Sequence, residues 1–392
     1  MLADEMLALT KGTDAIATRS TGMTLRERFR RTMAFQSVDR LPNWEFGYWA
    51  ETLNNWHAQG LPPEVTDEAS AYRWFGIEPW GAFAPVNVMG LVPGFPYTVV
   101  SEDADYTTYR DGDGALARIN RHGDKSIPHY LEFAIKGRAD WERFREHLRP
   151  HPSRIPADLA ARGAALKDRE VPLFIGIGSM IGSPRNWIGF ENIAMMVHDD
   201  PELLEEIVET CCQLVCSTLE QALPHLDPDI GAGWEDICFN SGPIVGARFM
   251  RDVVKPRYQR ITGLLRKHGC DLAWTDCDGN ILPILDSFVD GGINVMFPVE
   301  VHGGSDPLAL RRRQPGLRMN GGFDKMALLQ GKAAIRAELE RLLPLVREGG
   351  FIPGVDHRVQ ADVSYENYRW YLKLKRELYG AGGTPQYDES AL

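Results

Sequence analysis

Five apolar runs in this chain end in carboxylates or an imidazole: Trp44-Glu45, Trp234-Glu235-Asp236, Asp276-Cys277-Asp278-Gly279-Asn280, Val299-Glu300 and Asp356-His357. Brought to one place, such groups can move protons, neutralise a leaving group or hold a cation. Any single one has a simpler reading, because an aspartate after a strand is most often the N-cap of the next helix. Asp306 and Asp324 fit that cap role. The recurrence at several strand ends is what points to chemistry. Within residues 275–280, alternation sends Asp276 and Asp278 to one face and Cys277 to the other. Two carboxylates so close share a cation, share a proton, or stand solvated in an open loop. Beside Glu45, the aromatics Trp44, Tyr48 and Trp49 could wall a pocket for a flat ring or could be core. Arg185, after the apolar run 171–178, could anchor a substrate carboxylate or pair with a loop carboxylate.

The elements that must position these groups alternate regularly. Thr24 opens a helix in the pattern Thr-Leu-Arg-Glu, a capping box with Glu27, which runs to about residue 33. Residues 41–48 read as a first strand. Residues 97–100, 106–110 and 115–120 are β-type around the turn Asp111-Gly112-Asp113-Gly114, a small antiparallel insertion. From residue 171 strands and helices alternate, with strands at 171–178, 230–237, 270–276, 293–298, 317–321 and 351–353. Helices are expected at 201–223, 247–268, 281–289, 306–312, 332–347 and 364–378. This rhythm implies a parallel sheet with helices outside it. No Gly-x-Gly-x-x-Gly follows a strand, so a dinucleotide-binding fold has no support. The expected architecture is α/β, a single (β/α)8 TIM-type barrel with a small antiparallel β insertion in the N-terminal half. Reactive residues then stand at the carboxyl ends of the strands. Residues 1–22 are expected as a flexible leader, 23–380 as the barrel and 381–392 as a flexible tail.

With 54 acidic against 43 basic residues, the chain has no basic footprint for a phosphate backbone, so nucleic acid is not an expected partner. Arg311, Arg312 and Arg313 read as the solvated end of a helix. No run is long and apolar enough to span a membrane, and Asp4 and Glu5 stand where a signal peptide carries positive charge. The six cysteines follow no disulfide spacing and suggest reduced thiols and a cytoplasmic protein.

Over residues 25–378 the sequence resembles the uroporphyrinogen decarboxylase-like superfamily. The resemblance rests on Trp234-Glu235-Asp236, Asn240-Ser241-Gly242-Pro243, 276–280, Gly291-Gly292-Ile293-Asn294, Gly321-Gly322-Phe323-Asp324-Lys325, 349–353, Asp356-His357 and Tyr365-Glu366-Asn367-Tyr368. The tetrapyrrole decarboxylase shares Arg40-Leu41-Pro42 but continues into an arginine-bearing segment that grips substrate carboxylates. Here 43–49 reads Asn-Trp-Glu-Phe-Gly-Tyr-Trp, without arginine, which argues against a polycarboxylate substrate. The corrinoid-dependent methyltransferase branch is the closer match. Its zinc motif, His-x-Cys-Gly-Asn, is matched in place by Asp276-Cys277-Asp278-Gly279-Asn280. Its third ligand, ten residues before the asparagine of a Glu-Asn pair, falls on His357.

The resemblance therefore implies a divalent metal, zinc first, held by Asp276, Asp278 and His357. Glu235, Asp278 and His357 are the expected catalysts, and Trp44, Glu45, Tyr48, Trp49, Arg185 and Glu300 the expected substrate contacts. The implied reaction moves a methyl group from a small methoxylated or methylated compound to cobalamin on a partner corrinoid protein, with a homodimer as the assembly. Two other readings stand beside it: a decarboxylase of a different acid anchored by Arg185, and a non-catalytic corrinoid- or tetrapyrrole-binding module.

Overall fold

A computed structural model of the chain describes residues 22–122, 128–390 and 392. The expected leader, apart from Gly22, lies outside the described residues. Numbered in chain order, the strands begin with β1 (Ala82–Phe83), β2 (Thr98–Glu102), β3 (Tyr106–Arg110), β4 (Leu116–Asn120) and β5 (His129–Glu132). They continue with β6 (Leu173–Gly178), β7 (Ile230–Trp234), β8 (Cys238–Phe239), β9 (Gly242–Pro243) and β10 (Ala273–Asp276). The last three are β11 (Val295–Phe297), β12 (Arg318–Phe323) and β13 (Phe351–Val355). A curled seven-stranded sheet runs in the order β1-β6-β7-β10-β11-β12-β13, every pair parallel. Its strands are buried on both faces, which is why they read as continuous apolar runs.

Alternation divides the core into two bodies. Phe174, Ile230, Ala232, Trp274, Val295, Phe297 and Ile352 fill the concave face together with Trp44 and Trp80. Phe29 and Met33, from the helix Leu25–Met33, close this core at one end, with Phe29 stacked on Trp44 at 5.3 Å. That helix starts as its capping pattern requires, Thr24 Oγ1 accepting the Glu27 N–H at 3.1 Å. The convex side packs against the helices in a second and larger cluster.

Residues 41–48, expected as the first strand, form no strand of the sheet and make only isolated bridges to residues outside it, Leu41 with Ala381 and Tyr48 with Val359. The hydrogen-bonded ladder therefore ends at β1 and β13. Along the extended segment, backbone N–H groups of Gly382, Glu78 and Val359 take the Leu41, Asn43 and Gly47 carbonyls, and side chains take those of Trp44 and Glu45. Tyr72 Oη and Trp80 Nε1 donate to the Glu45 carbonyl at 2.8 and 3.0 Å, and Lys375 Nζ to that of Trp44 at 3.0 Å.

The insertion is present as the antiparallel sheet β2-β3-β4-β5, one strand larger than expected. Where a flexible tail is expected, residues 381–390 lie against the body. Gln386 donates to the Trp74 carbonyl at 2.9 Å, and the Tyr387 ring sits 5.8 Å from that of Trp74. Among the described residues no helix is long and apolar enough to cross a membrane.

Candidate active site at the strand ends

The carboxyl ends of β7, β10 and β11 are tied together by their own backbones. The Asp276 carbonyl accepts from Glu235 N at 2.8 Å and Asp236 N at 3.2 Å, and Cys277 N donates to the Phe297 carbonyl at 2.8 Å. Trp274 faces the concave core, so alternation turns Cys277 outward. Cys277 is indeed buried in the convex cluster, where the neighbouring Cys238 thiol and burial hold its own thiol well above the usual range.

The loop after β10 carries Asp278 to the rim, where its Oδ2 lies 3.5 Å from His357 Nε2. Its Oδ1 is buried with no hydrogen-bond partner. The imidazole stands between two aromatic rings, Trp49 stacked at 5.6 Å and Phe46 tilted at 5.4 Å. Neighbouring ends add two ion pairs. Arg185 reaches Asp236 Oδ2 at 3.0 Å while its guanidinium covers the Trp234 ring at 5.1 Å. Lys325 Nζ reaches Glu300 Oε1 at 2.5 Å, and Glu300 Oε2 accepts from Gly279 N at 2.9 Å. Burial pushes the Asp236 carboxyl up, Arg185 opposes the shift, and the nearby Asp278 charge reinforces it. Burial acts the same way on Glu300, but Lys325 outweighs it and holds that carboxyl below its ordinary value.

Backbone strain marks the same rim. Asp236 has φ +43° and Val299 φ +63°. Aspartate tolerates that region, whereas a β-branched residue rarely enters it, and such outliers gather at functional sites.

The structure thus brings Asp278, His357, Glu300, Arg185 and Trp49 to one rim, together with Asp236 and Phe46, which are not among the expected catalytic or substrate-contact residues. Four expected site residues lie elsewhere. Glu235 is fully buried and accepts from the N–H groups of Met180, Ile181 and Gly182 at 2.7, 2.8 and 2.7 Å, with Tyr258 Oη also donating to it. It pins the turn after β6 from the convex side, and burial raises its pKa against these hydrogen bonds. Glu45 is sealed in an ion pair with Lys375 at 2.5 Å, neither side chain accessible to water. Tyr48 belongs to the outer aromatic cluster, its hydroxyl 3.1 Å from that of Tyr368. Trp44 points into the concave core.

One physical reason covers these corrections. Glu235 follows the inward Trp234, and Glu45 lies between the inward Trp44 and Phe46, so both glutamates must face out. The same alternation applied to 234–236 selects Asp236.

Asp276, Asp278 and His357 do not meet as a ligand set. Among the described residues no group of three or more His, Cys, Asp or Glu side chains is placed to hold a metal ion. His357 and Asp278 come together as a pair, and the expected divalent-metal centre does not fit this arrangement.

Behind the pair, Asp356 is buried and accepts from Val301 N at 2.7 Å and Lys325 N at 3.0 Å, fastening the loops after β11 and β12 to β13. Burial pushes its carboxyl up to about 7. An unfolded aspartate loses its proton near pH 4, so between there and about 7 the folded chain holds the extra proton. Stability from this group therefore falls as pH rises through that window. Relative to Asp356→Asn, the natural chain should lose about 2 kcal/mol of unfolding free energy between pH 5 and pH 8. Urea unfolding at the two pH values measures this, and parallel behaviour of the two proteins would refute it.

The curled parallel sheet is a half-barrel consistent with a TIM-type fold, with polar residues gathered where its strands end. Among solved structures, the chain is similar to a methyltransferase from Methanosarcina mazei, with 16% identity and a TM-score of 0.56 over 91% of this chain and 99% of that one. A B12-independent methionine synthase from Shewanella sp. W3-18-1 aligns more loosely, with 12% identity and a TM-score of 0.36 over 57% of this chain and 68% of that one. At 16% identity the first likeness is one of fold. No family model and no curated protein sequence matches the chain.

Proposed function

We propose that this chain is a substrate-side methyltransferase, taking a methyl group from a small methoxylated compound and passing it to a corrinoid carried by a partner protein. The observation that carries the reading is the His357–Asp278 pair, 3.5 Å apart beneath Trp49 and Phe46 at the strand ends. The shared fold with a protein named as a methyltransferase supports it. When the O–CH3 bond of the donor breaks, the electron pair stays on the oxygen, which needs a proton. His357 would deliver that proton from its other ring nitrogen, Nδ1, while Asp278, 3.5 Å from Nε2, orients the ring. Trp49 and Phe46 offer a flat apolar wall beside it, and the Arg185–Asp236 and Glu300–Lys325 pairs fix the polar rim. The decarboxylase reading needs Arg185 as an anchor for a carboxylate, and here Asp236 already engages it.

The direct test is anaerobic incubation of the protein with cob(I)alamin and a panel of methoxylated aromatic and aliphatic donors, followed by absorbance. Formation of methylcobalamin with at least one donor is the expected result. Release of CO2 from a carboxylic acid with no methylation of cobalamin would replace this reading with the decarboxylase.

A further inference from the structure

A cavity of about 460 Å³ lies at the root of the insertion and shares no lining residue with the strand-end cluster. Its size falls within the usual range for small-ligand sites. Phenylalanines form its apolar lining: Phe144 is buried, while Phe95 and Phe133 remain partly open. Phe95 and Phe144 stack at 5.8 Å with 27° between their planes.

The rim is charged, and its charges do not cancel. Lys136 pairs with Glu132 at 3.4 Å and Arg143 with Asp140 at 2.5 Å. His147, whose Nδ1 lies 2.6 Å from the Pro93 carbonyl, adds no charge when neutral. Arg110 donates to the Gly114 carbonyl at 2.7 Å and has no carboxylate partner among the described residues. One guanidinium is left with unused donors beside partly open aromatic rings.

We propose that this cavity is a second binding site, for a small aromatic monocarboxylate. The ring would lie against the phenylalanines in offset or edge contact. The carboxylate would take the free donors of Arg110, the geometry in which a guanidinium binds most strongly. A single uncompensated charge matches a monoanion. The site is fastened to the element that carries Arg185: Phe133 packs where a side chain on Gly189 would clash, and Ile135 N donates to the Trp187 carbonyl at 2.9 Å.

Calorimetry of the full chain with benzoate, its neutral isostere benzamide, and cyclohexanecarboxylate tests the proposal. Benzoate should bind about ten-fold or more tightly than benzamide, reflecting a charge-assisted pair, and more tightly than cyclohexanecarboxylate. Arg110→Gln, at an exposed position, should bring benzoate down to the benzamide level and leave benzamide unchanged. Phe95→Leu should weaken both aromatic ligands together. His357→Ala should leave benzoate binding as it is, which separates this site from the mouth and makes the result independent of the proposed reaction. Absence of benzoate binding to the natural protein, natural affinity in Arg110→Gln, or loss of binding in His357→Ala would each overturn it.

Discussion

His357→Ala is expected to lower turnover about 10²- to 10⁴-fold, the usual contribution of a positioned general acid. The imidazole lies 3.5 Å from the Asp278 carboxylate and packs against the Trp49 and Phe46 rings, which hold its orientation before any donor arrives. If its role is to protonate the departing oxygen, the loss should depend on the donor. Donors whose leaving oxygen is already acidic need little help and should lose least, while simple alkyl ethers should lose most. Steady-state rates over a donor series of graded leaving-group acidity read this directly. A uniform loss across the series would mean that His357 shapes the pocket and transfers no proton, and full activity would remove it from the mechanism.

Lys375→Met carries the largest expected change in stability, about 3–5 kcal/mol, the typical cost of breaking one side of a buried pair. Burial pushes the Lys375 ammonium below its ordinary pKa, opposed chiefly by Glu45 and to a smaller extent by Glu78. Glu45 Oε1 takes Lys375 Nζ at 2.5 Å and Tyr371 Oη at 2.9 Å, while Oε2 takes Val355 N at 3.0 Å. Methionine fills much of the same space but strands the carboxylate in an apolar layer. The double variant Glu45→Gln/Lys375→Met should recover much of the loss, because it removes both charges. Urea denaturation of the natural protein and the two variants decides the matter. If the single and double variants unfold alike, the pair is a passenger of the packing.

The alternation of strands and helices after residue 171 was legible because buried parallel strands leave uninterrupted apolar runs. The insertion was legible through the turn Asp111-Gly112-Asp113-Gly114, but its last strand was not. His129–Glu132 is exposed along its whole length and so carries no buried-face pattern. The site was half legible. Polar residues at strand ends pointed to the rim, and the outward placement of Cys277 followed from side-chain parity alone. Glu235 and Glu45 have the chemistry of site residues, but the same parity turns both away from the mouth and leaves Asp236 facing it. The Glu45–Lys375 pair could not be read at all. Its partners stand 330 residues apart, and Lys375 sits on a helix where a lysine usually faces water.

That separation also governs how the chain can fold as it is made. The segment 41–48 finds its partners late: Tyr48 needs Tyr368, Trp44 and Glu45 need Lys375, and Leu41 needs Ala381. At a synthesis rate of about 5–20 residues per second, the 330 residues between Glu45 and Lys375 take roughly 15–65 s to emerge. Throughout that interval Tyr48, Trp56 and Phe75 have no final helix to cover them. The nascent protein must therefore carry an unfinished sheet edge and a bare aromatic cluster on the ribosome, the kind of surface that chaperones hold.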